Sequence, residues 1–192
     1  MAAAVAPVST RGRSSPRRPT SCGAPTAPGS LRWRKAGVIF VAVEHWNAEC
    51  VGWHVCKQGT RFAALEPISQ GLVATVDMVA VDAARGLSLR MDHGTQYLSD
   101  HFQNQIKYWG ISPSFAFIEQ PQTNGVAERF IRTLKEQVIY GRAFQNLQEV
   151  RQAVRHFVDT YNREGMVEKN GFKSPWQARA QWLAQASLAR AA

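Results

Sequence analysis

Two β-rich runs, "GVIFVAV" from Gly37 and "ECVGWHV" from Glu49, follow each other through Asn47-Ala48 and read as a hairpin. The pattern then alternates between helix and strand. A short helix is expected from about Arg61. Residues 86–92, "GLSLRMD", set Leu87, Leu89 and Met91 against Ser88, Arg90 and Asp92, the alternation of a strand that ends on an acid. Ser99 can cap a helix that carries Phe102, Ile106 and Trp109 at i, i+4 and i+7, and Gly110 stops it. Ile111 to Phe117 reads as a further short strand, followed by a polar loop. A helix from about Asn124 has Val126, Phe130, Ile131, Leu134 and Val138 on its apolar side. Asn146 with Glu149 forms a capping box for a helix striped by Leu147, Val150, Val154, Phe157, Val158 and Tyr161, and Ser174-Pro175 opens the last one. Strands followed by alternating helices and strands predict an α/β layer fold, and no internal repeat is visible.

The length of 192 residues suits one such domain, and 45% apolar content with six Trp is enough for a core. Seven of the nine excess positive charges fall in residues 1–36 (Arg11, Arg13, Arg17, Arg18, Arg32, Arg34 and Lys35, with no acid), so net charge says little about the remainder. Residues 1–36, rich in Ala, Pro, Ser, Gly and Arg, are expected to be a disordered basic arm, with the folded core in 37–192. Three cysteines without a Cys-x-x-Cys pair suggest neither a disulfide framework nor a zinc knuckle, which fits a cytoplasmic setting. The longest apolar run, Val38 to Val43, is far short of the roughly 20 residues that span a bilayer.

Asp92 ends a strand, and Glu128 lies one turn inside a helix, 35 intervening residues later. Taken alone they would be a surface Asp in a turn and a first-turn Glu favoured by the helix dipole. Their surroundings are more specific. The run "MDHGTQYLSDHFQNQIKYWGISPSFA", with "PQTNGVAERFIRTLKEQ" and later "YNRE" and "SPWQA", resembles the catalytic core of bacterial insertion-sequence transposases of the DDE type, relatives of retroviral integrases. The resemblance covers about residues 37–182. It implies a ribonuclease H-like mixed sheet flanked by helices. It also implies that Asp92, which begins an Asp-x-Gly-x-x-Tyr signature with Gly94, Gln96 and Tyr97, is the second metal-binding acid. Glu128, in an Asn-Gly-x-x-Glu segment with Asn124 and Gly125, would be the third. A basic residue seven positions after that Glu is matched by Lys135.

The implied chemistry is metal-dependent DNA strand transfer. Two carboxylates from separate elements can hold hard divalent cations, Mg²⁺ or Mn²⁺, which activate an attacking oxygen and stabilise a leaving one. Glu128, Arg132 and Lys135 fall at i, i+4 and i+7 on one helical face, so an acid for metal is in line with two cations suited to DNA phosphates. A solvated helix face is the plainer reading of Arg132 and Lys135. The implied partners are mobile-element ends and target DNA, with self-association in the active complex and a bacterial, nucleoid-associated location.

The sequence departs from the family in one respect. The first Asp of the family, on the opening strand, has no counterpart, since no Asp precedes Asp77. Glu44 ends the second strand of the family pattern and is not a substitute. "CGAPTAP", residues 22–28, stands where the missing segment belongs, and freely chosen codons for it read Trp-Gly-Thr-Asp-Gly-Thr in a shifted frame, consistent with out-of-frame translation of the first 30 or so residues. The chain is therefore expected to lack a proper first strand and to be inactive as it stands, a non-catalytic DNA-binding remnant being the alternative and a stand-alone nuclease the weakest reading. His93 reads as a turn residue rather than a base. His45, His54, Cys50 and Cys56 read as strand residues rather than a zinc site. Trp109 and Phe115 are expected in the core.

Overall fold

The computed structural model describes residues 2–9, 37–115 and 125–191. Its strands are β1 (Ala2–Ser9), β2 (Val38–Glu44), β3 (Cys50–Cys56), β4 (Ser88–Met91) and β5 (Ser112–Phe115), joined in one sheet in the order β3-β2-β1-β4-β5. β2 is antiparallel to β3 and to β1, whereas β4 runs parallel to both β1 and β5. The hairpin read through Asn47-Ala48 is the β2–β3 connection, with Ala48 in the left-handed region at φ 59.

Helices cover both faces. Every residue from Ile39 to Glu44 is buried, the signature of a strand covered on two sides. Phe40, Ala42, Leu89 and Met91 pack with α1 (Arg61–Val76), α2 (Thr95–Leu98) and α3 (Asp100–Tyr108). On the opposite face, Ile39, Val41 and Val43 meet Phe130 and Leu134 of α4 (Gly125–Leu134) and Val150, Val154 and Phe157 of α5 (Leu147–Glu164). The last helix is α6 (Pro175–Ala191). The predicted caps form: Ser99 Oγ accepts from Phe102 N–H, and Asn146 Oδ1 from Glu149 N–H.

Two expectations need correction. Helix α1 is not short: it runs 16 residues and continues through Pro67. Its neighbour makes room, because a Cβ on Gly52 of β3 would lie 2.0 Å from the Pro67 carbonyl oxygen. The second concerns residues 1–36, expected as a disordered arm. Ala2–Ser9 is instead a strand between β2 and β4. Both neighbours would otherwise leave ladder groups unpaired in the middle of the sheet, and such groups are costly. Ala- and Pro-rich composition concealed this strand, since Pro7 argues against a central position on sequence grounds. β1 contains no acidic residue. Residues 22–28 and the loop 116–124 lie outside the described residues.

Candidate catalytic site

β4 delivers Asp92 at its carboxyl end, one residue past Met91, where an open α/β sheet presents its working groups. The side chain is half-buried, and its Oδ1 accepts the Gly94 N–H at 2.9 Å, which fixes the turn into α2. A Cβ at position 94 would sit 2.9 Å from Asp92 Oδ1 and 2.5 Å from Gln96 Nε2, so only glycine leaves this turn undisturbed. Next in the turn, Tyr97 is fully buried, edge-to-face with Phe40 (centroids 6.4 Å) and Phe102 (5.2 Å). Burial pushes the phenol well above its ordinary range, the Asp92 charge adds to this, and the Gln96 side chain opposes it.

Glu128 occupies the first turn of α4 and is exposed, as an acid favoured by the helix N-terminus should be. Ala127, Phe130 and Leu134 bury the opposite face of α4, which packs over β1 and β2. Arg132 is exposed and Lys135 half-buried, and among the described residues neither is taken up by a salt bridge. α-Helical bonding gives way at Lys135–Ile139 to a π turn, a feature the residue pattern does not announce. Of the loop residues singled out with Glu128, Asn124 lies outside the described residues.

Among the described residues no group of three or more His, Cys, Asp or Glu could hold a metal ion. Asp92 and Glu128 lie on separate elements, at the end of β4 and in the first turn of α4. Glu44 does not join them. It pairs with Ala3, which is itself level with Leu89, so Glu44 lies two strands across from β4 and three residues short of Asp92. That is roughly 10 Å in each direction. Glu44 is 4% exposed, its carboxyl accepts the His45 N–H, and burial raises its pKa. The Cys50 thiol donates to Gly52 O and the Cys56 thiol to Val38 O and Gln58 O. His93 is exposed and stacks on half-buried Phe115 at 5.5 Å, whereas Trp109 is core.

Three residues with structural weight were not singled out by sequence reasoning. Tyr97 was noted only as part of a signature. Asn162, in "YNRE", clamps β3: its Oδ1 accepts the Cys50 N–H at 3.0 Å and its Nδ2 donates to Cys50 O at 2.9 Å. Asn47, fully buried, bonds Glu49 and Pro175 O, while Arg179 pairs with Glu49 at 2.7 Å, locking the β2–β3 turn to the start of α6. Both amides are recognisable only once their distant partners are known.

A mixed five-stranded sheet with an acid at the end of β4, a second on α4 and helices on both faces is a ribonuclease H-like fold. Comparison with known proteins agrees. The family model described as "Integrase core domain" matches residues 109–165. The transposase for insertion sequence element IS904 of Lactococcus lactis subsp. lactis is 31% identical over 147 residues, covering 73% of this chain and 54% of the relative. That for IS629 of Shigella sonnei is 26% identical over 150 residues, covering 77% and 48%. The chain thus spans about half the length of these relatives. Among solved structures, the catalytic core domain of BIV integrase superposes with a TM-score of 0.55 at 20% identity, covering 82% of this chain and 94% of that one. The HTLV-2 integrase catalytic core domain, solved in complex with magnesium, gives 0.56 at 17%, covering 78% and 89%. The chain is thus similar to the integrase cores of insertion-sequence transposases. No helix among the described residues is long and apolar enough to cross a membrane.

Proposed function

We propose that this core belongs to a transposase acting in DNA strand transfer, that Asp92 and Glu128 are its metal-binding acids, and that the chain as it stands does not complete the reaction. The observation that carries the reading is the position of Asp92 at the end of β4 combined with Glu128 on the helix that covers the neighbouring strands. Continuing the pleat of β4 past Met91, which faces α1 to α3, directs residue 92 toward the α4 side. Their oxygens suit Mg²⁺ or Mn²⁺. When bound, such ions supply Lewis-acid activation of the attacking oxygen and charge stabilisation at the leaving one. The chain's own residues do the rest. The Gly94 N–H fixes Asp92, the first turn of α4 presents Glu128, and Arg132 and Lys135 contact DNA phosphates on the same helical face.

A third carboxylate is lacking because β1, which supplies the central strand, contains none. With two acids a cation is held but not fixed, and misplacement by about 1 Å can cost 10²-fold in rate. That same absence favours the second reading, a DNA-binding remnant that acts without catalysis. Self-association in the active complex and a place on bacterial DNA go with both readings. The reading is tested by titrating a DNA duplex with the chain at about 50 and 200 mM salt. Sequence-independent binding that weakens steeply with salt is expected, with a shallower salt slope for R132A/K135A. Affinity indifferent to salt would overturn the phosphate-contact assignment.

A further inference from the structure

β3 is the outer strand of the sheet, and an outer strand presents a row of backbone groups on which another strand can build. Its own sequence, "CVGWHVC", offers little against this, having no Lys, Arg, Asp, Glu or Pro. The protection comes from elsewhere. Trp53 and Val55, two residues apart, turn their backbone groups the same way, and the register shift between Ala42 and Val43 absorbs the odd spacing back to Cys50. Asn162 takes both Cys50 groups, Trp53 N–H donates to Gln70 Oε1 at 3.0 Å, and Val55 O accepts from Arg151 Nε and Nη2 at 3.3 and 3.1 Å. These side chains reach round the edge from both faces of the sheet, Gln70 from α1 and Arg151 and Asn162 from α5. Helix α1 comes near enough because Gly52 admits the Pro67 carbonyl, one turn before Gln70.

Gln70 is exposed and Arg151 half-buried, and among the described residues Arg151 is in no salt bridge. Holding two long side chains in place costs rotamer entropy, and at a solvent-facing edge water can satisfy the same backbone groups. What water cannot do is keep another strand away. We propose that Gln70 and Arg151 close the β3 edge to a second copy of this chain, whose β3 would otherwise pair antiparallel with it about a two-fold axis and continue the sheet. A two-fold contact sets like against like, so every edge group freed on one copy is freed on the other as well. The proposal does not depend on the DNA or metal reading.

The test compares the full chain with the double variant Gln70→Ala, Arg151→Ala, with Gln70→Ala alone and with Gln70→Glu. Light scattering over a concentration series reads association, and infrared spectra and thermal melts are taken on the same samples. Q70A/R151A is expected to associate at a concentration about tenfold or more below that of the unaltered chain, with an intermolecular β-sheet band and a cooperative melt. Q70A, altered at an exposed position, is expected to shift the same way by less. Q70E is expected to match the unaltered chain, because its carboxylate accepts the same Trp53 N–H. Unchanged association in folded Q70A and Q70A/R151A would overturn the proposal, as would Q70E associating like Q70A. Association without the intermolecular band would place the contact on another surface, and association only where the cooperative melt is lost would make it a product of unfolding; either result overturns the proposal too.

Discussion

Replacing Asn162 by Ala tests how the edge of the sheet is held. β3 is an edge strand, and Cys50, at its start, is 4% exposed, with no solvent to satisfy its backbone. Asn162, 5% exposed, supplies both partners from α5, at 3.0 and 2.9 Å. The bond lies beside the irregular register between Ala42 and Val43, where the β2 ladder gives β3 least support. Truncation leaves one buried donor and one buried acceptor unpaired, at about 1–3 kcal/mol each. A loss of about 4 kcal/mol follows, against a total of about 5–15 kcal/mol for a domain. Asn162→Asp distinguishes lost bonds from lost volume. Its carboxylate still accepts from Cys50 N–H but cannot donate to Cys50 O, so its folded-state pKa is raised. Its deficit should therefore shrink as pH falls toward the unfolded carboxylate range, where the protonated acid donates again. The assay is urea denaturation of the three chains at pH 5 and 7.5. A loss below about 1 kcal/mol for N162A, or an N162D deficit that grows on acidification, would refute the reasoning.

Further outcomes follow from the same geometry. Gly52→Ala puts a methyl 2.0 Å from the Pro67 carbonyl oxygen and should cost at least the upper part of the ~1–3 kcal/mol typical of overpacking, measured by denaturant midpoint. Gly94→Ala forces Asp92 and Gln96 apart and should weaken Mn²⁺ binding more than it lowers thermal stability. Glu44→Gln should stabilise the chain at pH 8 by an amount that fades as pH falls toward 4.5. Burial raises the Glu44 pKa, so the charged form opposes folding above that range and protonation relieves it, and melts across pH 5–8 read the difference. The histidines act in the other direction: burial lowers His45 and His54, so stability held above pH 6.5 is lost as pH falls below it.

Periodicity made the helices around Phe102, Phe130 and Val154 legible, because each buries one stripe against a sheet face and its caps are local in sequence. Asp92 and Glu128 were singled out through motif and spacing, and each lies where an element begins or ends. β1 was not, because a central strand made of Ala, Val, Pro and Ser owes its place to two neighbours found far along the chain rather than to its own alternation. Asn162 and Asn47 escaped for a related reason. A buried amide is identified by partners more than a hundred residues away, and no local pattern marks them.

The central proposal is that Asp92 and Glu128 are two members of a carboxylate site whose third acid is missing from the central strand. The sheet register names that position. The β1–β4 ladder ends at Val5 opposite Met91, so residue 6 lies level with Asp92, about 4.8 Å away across one strand spacing. The decisive measurement is Mn²⁺ affinity of Ala6→Asp beside the unaltered chain and the Ala6→Asp, Asp92→Asn double variant. About tenfold or greater tightening in A6D, abolished in the double variant, is the predicted result. A6D binding no more tightly than the unaltered chain, in a folded protein, would contradict it.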